Sequence, residues 1–309
     1  MIVDSHVHVW EIDPPHYPVG PTAPSFTGHP SRAGTVAELL TDMDANAVDR
    51  AVLVQSSWST WDNSYIIDSV AAHPDRFLGQ GLVDPEDPDN AATATAWLDR
   101  GLHGFRFHPL YYDEPLLVSP ANTALWECLA ARGVIVQFHM DARHSPQVAE
   151  IASCFPGLAL IVDHLGYPDP ADLDAYQPIL DLARYEGVCI KISDVHGRSQ
   201  EAFPFTDVHP AIRAAFDAFG SERVLWGTGF PGMLRQEHGW PSLAQELRLI
   251  REGIAFLNEI DRKRILGANA ARVWGIGYQG EASASSGRAA TRSRTPTMNR
   301  PANSRNAGP

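Results

Sequence analysis

Met1-Ile2-Val3-Asp4-Ser5-His6-Val7-His8-Val9-Trp10 is the stretch from which the rest of the chain can be read. It is rich in β-branched residues and reads as a strand. Side chains two apart in a strand point the same way. Asp4, His6 and His8 therefore share one face, and Val3, Val7 and Val9 the other. Two imidazoles a few ångströms apart on a rigid strand form half of a metal site. The competing reading is one core histidine beside one that faces solvent.

Outward from this strand the chain alternates regularly. Short apolar runs at 51–56, 77–83, 103–109, 134–139, 158–164, 188–193 and 223–228 read as strands. Helical spacing fills 35–47, 63–73, 90–100, 120–132, 145–154, 173–186, 207–219 and 243–257, with one more helix at 261–274. Several of the strands are apolar on both faces, as in a parallel sheet covered by helices. Eight strand–helix units predict a (β/α)8 TIM barrel, with an open doubly wound sheet as the runner-up. Polar residues favour the barrel. Gln55, Arg106, His108, His139, His164, Lys191 and Ser193 all sit at strand C-termini, as His6 and His8 do. In a barrel those ends meet at one mouth.

The barrel domain is expected over 1–276. The remainder, 277–309, is a low-complexity segment holding five arginines against one acid, Glu281, and is expected to be a disordered basic tail. The whole chain carries a net charge of −13, which argues against nucleic-acid and anionic-membrane partners. No 18-residue apolar run and no signal sequence are seen. Cys128, Cys154 and Cys189 are too far apart for a Cys-x-x-Cys pair, which fits reduced thiols and a cytoplasmic location. The segment 11–33 carries six prolines and reads as a long loop, so His16, Tyr17, Phe26 and His29 are available to touch a ligand. The partner expected is a small molecule bearing a carbonyl or carboxylate, and a homo-oligomer is left open.

Four imidazoles at one rim need partners, and a divalent cation, zinc by donor type, is one. Beyond this, the motifs Asp4-Ser5-His6-Val7-His8, Gly104-Phe105-Arg106-Phe107-His108-Pro109, Val162-Asp163-His164-Leu165-Gly166, Lys191-Ile192-Ser193 and Trp226-Gly227-Thr228-Gly229-Phe230-Pro231 resemble, in order, those of the amidohydrolase superfamily. The amidohydrolase 2 branch is the nearest match, from about Met1 to Ile276. The resemblance implies metal ligands at His6, His8 and His139. It implies a catalytic or carbonyl-polarising role for His164, and substrate binding by Arg106 and His108. Gln55 and Trp58 join them as candidate substrate contacts, and Lys191 and Asp194 as candidate catalytic groups. For Arg106 a salt bridge to Asp163 is the alternative.

One departure from that family matters. Its members carry an aspartate after the eighth strand, as a metal ligand or as the base for water, where this chain has Gly229. A metal held by three histidines, a metal-free site, or loss of hydrolysis would each be consistent with the change. Asp194 or Asp163 could replace the base. The leading expectation is a hydrolase that opens a small lactone or related cyclic ester or amide. A decarboxylase of an aromatic or unsaturated acid is the second reading, with Trp58, Phe105 and Tyr111 as stacking surfaces. A ligand-binding relic without turnover is the third. Residues 227–232 also match Gly-x-Gly-x-x-Gly, but the motif lies on the last strand and Pro231 removes an amide, so a dinucleotide site is rejected. No Gly-x-Ser-x-Gly occurs, and Cys128 falls in a helix, as a core thiol would.

Overall fold

Each apolar run forms a short strand: β1 (Val3–Val7), β2 (Arg50–Val54), β3 (Phe77–Gly81), β4 (Gly104–Phe107), β5 (Ile135–Phe138), β6 (Ala159–Val162), β7 (Val188–Ile192) and β8 (Val224–Trp226). The strands pair in sequence order, all parallel, as the barrel reading requires. The computed structural model describes residues 1–13, 15–22, 32–229, 235 and 239–277. The barrel unit runs from Met1 to Ile276. The expected tail, together with Phe26, His29 and 230–232, lies outside the described residues, apart from Gly277.

Side chains and loop amides close the seam between β8 and β1. Ser5 Oγ donates to the Trp226 carbonyl at 2.6 Å, and the amides of Thr228 and Gly229 donate to the His6 carbonyl at 3.2 and 2.6 Å. Thr228 Oγ1 and its amide donate to the buried Asp4 carboxylate at 2.6 and 3.1 Å. Backbone and side chain come so close here that a Cβ on Gly227 would lie 2.6 Å from His6 Cβ.

Alternation along the strands sorts the side chains. Val3, Val52, Leu78, Ile135, Ile161, Cys189 and Leu225 form an apolar floor inside the barrel, sealed below by Ala270, Trp274 and Ile276. Two residues further along several of these strands, the inward positions become polar: Gln80, Gln137, Asp163 and Lys191, joined by Arg106 of β4, all buried. In β1 the register slips between Asp4 and Val7, which lets Val3 and His6 both face inward despite their odd spacing. The outer face packs Leu39, Met43, Leu129, Val148 and Ile212 against the strands.

The helices follow local signals. Thr35 accepts from the Glu38 amide and Glu38 caps Thr35 in return, starting helix Val36–Ala45. The helix expected at 173–186 is shorter, Gln177–Leu180 followed by the 3-10 turn Asp181–Arg184. The reason lies just upstream: Asp169 and Asp172 accept from the amides of Ala171 and Ala175, which holds turns until Pro178 begins the helix. The last two expected helices are interrupted by π turns at Leu249–Gly253 and Arg264–Ala268.

Candidate active site

Five imidazoles run in an unbroken chain across the mouth of the barrel. Ring centroids are 4.9 Å apart for His8–His6, 4.8 Å for His6–His164, 5.6 Å for His164–His139 and 5.3 Å for His139–His108. Burial holds His6, His108, His139 and His164 well below the ordinary histidine range and pushes His8 down to about 3. All five are therefore neutral near pH 7.

Asp163, at the end of β6, ties this layer together. Its Oδ2 accepts from Arg106 Nε at 2.7 Å, and its Oδ1 accepts from Lys191 Nζ at 2.8 Å. Burial alone would raise its pKa, but Lys191, His6 and Arg106 together hold it well below the usual carboxylate range. Lys191 also donates to Gln137 Oε1 at 2.7 Å and to His6 Nδ1 at 3.3 Å. With all three donors engaged and no exposed surface, it is a structural cross-brace.

Because arginine only donates, Arg106 fixes its neighbours' tautomers. Nη2 donates to His164 Nε2 at 3.0 Å, so His164 carries its proton on Nδ1 and donates to Ser193 Oγ at 2.9 Å. Nη1 donates to His108 Nε2 at 3.2 Å. The salt bridge to Asp163 is therefore present, and it leaves part of the guanidinium fork facing a nook lined by Thr22, His108, Tyr111 and Tyr112. That nook has room for about one water molecule.

After β6 the backbone makes an unusual turn. His164, Leu165, Gly166 and Tyr167 are all left-handed, with φ of 53°, 57°, 69° and 53°. Each non-glycine residue in such a state costs about 1–2 kcal/mol. Gly166 is needed twice over, since a Cβ there would lie 2.5 Å from Ile179 Cδ1. The turn presents His164 to Arg106 and brings the Tyr167 hydroxyl within 2.7 Å of His139 Nε2. Tyr167 was not anticipated. The only sequence hint was the glycine three residues after Asp163.

His6 and His8 form one edge of a candidate metal site. Their Nε2 atoms are 3.2 Å apart, close to the spacing of about 3.3 Å between two nitrogens on tetrahedral zinc. His8 Nδ1 donates to the Val54 carbonyl at 2.8 Å, which leaves its Nε2 lone pair available. The donor from Lys191 to His6 Nδ1 places the His6 proton on Nε2, where it occupies that edge. A cation fits once His6 moves its proton to Nδ1, toward Asp163 Oδ1 at 3.5 Å. Among the described residues the ligand atoms that cluster within 4.8 Å are those of His6, Asp163 and His164. His139, the expected third ligand, packs on His108, His164 and Tyr167 instead.

The other candidates are dispersed. Gln55 lies one residue out of phase with inward Val54; it donates to the Asp62 carbonyl and accepts from the Ser56 amide, bracing a loop. Trp58 stacks edge-on against Trp10 at 5.1 Å. Asp194, with φ of 52°, is half-buried beside the mouth, next to Ser193. Burial raises its pKa.

Residues 3–276 match the model of an amidohydrolase family, amidohydrolase 2. A curated relative, the L-fucono-1,5-lactonase of Burkholderia ambifaria, is 27% identical over 75% of this chain and 81% of its own. A probable 2-pyrone-4,6-dicarboxylic acid hydrolase from Acinetobacter baumannii superposes with a TM-score of 0.74 at 20% identity, covering 89% of this chain and 99% of its own. A zinc-bound amidohydrolase from Burkholderia multivorans superposes with a TM-score of 0.72 at 21% identity, covering 89% and 99%.

Proposed function

Because the chain belongs to the amidohydrolase 2 family, we propose that it is a hydrolase that opens a small lactone by attack of water on the ring carbonyl. The observation that supports this best is the Arg106 fork, held flat by Asp163, His164 and His108 beside a water-sized nook. A carbonyl oxygen entering that nook meets fixed N–H groups, which stabilise the negative charge it gains in the transition state. His164 holds the fork in place, and the left-handed turn holds His164. Similarity to an L-fucono-1,5-lactonase supports a sugar lactone as the substrate class.

His6 and His8 would hold a divalent cation, zinc by donor type. When bound, it would add polarisation of the carbonyl or lower the pKa of a water. Lys191 and Arg106, two buried cations nearby, oppose tight binding. The cation is therefore an accessory to the site.

A panel of sugar and pyrone lactones, followed by proton release, tests the proposal. Wild type should turn over at least one, and His164→Asn should lose most of that activity. Equal turnover by the two proteins would remove His164 from the mechanism. Carbon dioxide release from aromatic acids, with no lactone opened, would replace the reading with a decarboxylase.

A further inference from the structure

On the β7–β8 side of the mouth, a chain of charged residues leads away from Gly229, which has no side chain. The β7–β8 ladder ends where Ile192 pairs with Trp226, and Asp194 and Gly229 each lie in the loop that follows their strand. Arg235 Nη2 donates to the Thr228 carbonyl and lies 4.0 Å from where a Gly229 Cβ would be. Arg235 Nη1 donates to Glu246 Oε1 at 3.1 Å. Glu246 Oε1 is 3.7 Å from His196 Nδ1, and His196 Nε2 is 3.5 Å from Asp194 Oδ1.

The His196 side chain is only 8% exposed, and both ring nitrogens lack a hydrogen-bond partner among the described residues. A buried imidazole with a carboxylate facing each nitrogen is poised to bridge them. The Asp194 carboxylate folds over Gly197, where a Cβ would lie 2.8 Å from Oδ1 and 3.0 Å from Oδ2. The left-handed backbone at Asp194 and the bare Cα at Gly197 therefore fix where this carboxylate stands.

We propose that Asp194 is the general base that activates water in this chain, in place of the carboxylate missing at Gly229, and that His196, set between it and Glu246, is its positioning residue. This rests on the hydrolase reading above. Asp194 takes a proton from water as the water oxygen bonds to the lactone carbonyl carbon. The tetrahedral oxyanion collapses, the ring C–O bond breaks, and the protonated Asp194 returns its proton to the leaving oxygen. Water is the sole co-reactant, and the product is the open hydroxy acid. The groups facing Asp194 are His196 and Arg198 from its own loop, Tyr167 from the turn after β6, and Glu246 and Arg235 from beyond β8.

Two measurements on the full chain test this. In the first, lactone turnover is compared for wild type, Asp194→Asn, His196→Gln and Gly197→Ala. Asp194→Asn should lower kcat about 100-fold or more with KM little changed. His196→Gln and Gly197→Ala should lower kcat about tenfold, and His196→Gln should also move the acid limb of the pH profile. Wild-type kcat in Asp194→Asn would overturn the proposal. The second needs no substrate: carbon-13 NMR titration of the Asp194 carboxylate. It should titrate above the ordinary aspartate range and shift further up in His196→Gln. Titration as an ordinary aspartate, unmoved by His196→Gln, would overturn the pairing even if lactones are opened. A coupled titration in a protein that opens no lactone would keep the pair and overturn the substrate reading instead.

Discussion

The two halves of the barrel mouth are built differently. On the β4–β7 side, Arg106, Asp163 and Lys191 form a buried network whose charges are all paired within 3 Å. On the β7–β8 side, Asp194, His196 and Glu246 face one another at 3.5 and 3.7 Å. The first arrangement fixes an electrostatic field and resists change. The second leaves a carboxylate with room to gain and lose a proton. Fixed polarisation and mobile protons have been assigned to separate walls.

Breaking this paired wall should have the largest effect. Asp163→Asn leaves Lys191 and Arg106 buried beside a neutral amide. Loss of such a partner costs about 3–5 kcal/mol, read from chemical denaturation, and should abolish turnover. Arg106→Met is the next step down. It removes the fork but leaves Asp163 with Lys191, and should lower kcat/KM by about 100- to 1000-fold in the lactone assay.

The same wall predicts how stability depends on pH. His6, His8, His108, His139 and His164 are held neutral in the fold, while in the unfolded chain they take up protons below about pH 6.5. Their contribution is complete above that pH and is lost as the pH falls. Asp4, which burial raises to about 7, works the other way, because the fold keeps it protonated where the unfolded chain ionises. The raised Asp194 adds to Asp4. Five groups outweigh two, so Tm should fall as the pH drops from 7 to 5. A flat or rising Tm over that range would mean the imidazoles are not buried neutral.

How far the site could be read from sequence follows from the same contrast. The barrel was legible because β-periodicity and the order of strands are local signals. The imidazole chain was legible because strand C-termini share one rim. Gln55 misled because strand phase cannot be fixed at a strand end, where one residue separates inward from outward. Lys191 stood as a candidate catalytic group because nothing in the sequence brings Gln137, Asp163 and His6 to its three protons. Tyr167 reaches the site through a left-handed turn with no periodic signature, and Glu246 through a helix after β8 whose spacing is legible but whose approach to His196 and Arg235 is not.

Chelation probes the seam between the two walls. If the His6–His8 edge is an accessory, treatment with a strong chelator should change turnover by less than about tenfold, far less than Arg106→Met. Loss of all activity, restored by zinc, would shift the polarising role from Arg106 to the cation.

Gly229→Asp should have the smallest effect, and it bears most directly on the contrast. Its backbone sits at φ 74°, where a side chain costs about 1 kcal/mol, so a modest drop in stability is expected. Among the described residues space is not the obstacle, since the nearest atom to a Cβ is Arg235 Nη2 at 4.0 Å. A new carboxylate there would face Arg235 and compete with Glu246 for it, loosening the bridge through His196. With Asp194 present, the variant should therefore work a few-fold more slowly than wild type. In an Asp194→Asn background the same change supplies a carboxylate on the same wall and should recover part of the lost rate. Recovery would show that the wall needs one base and that its position along the rim is tolerant. A further loss in both backgrounds would mean that glycine itself, by keeping the space beside Arg235 clear, is what the site requires.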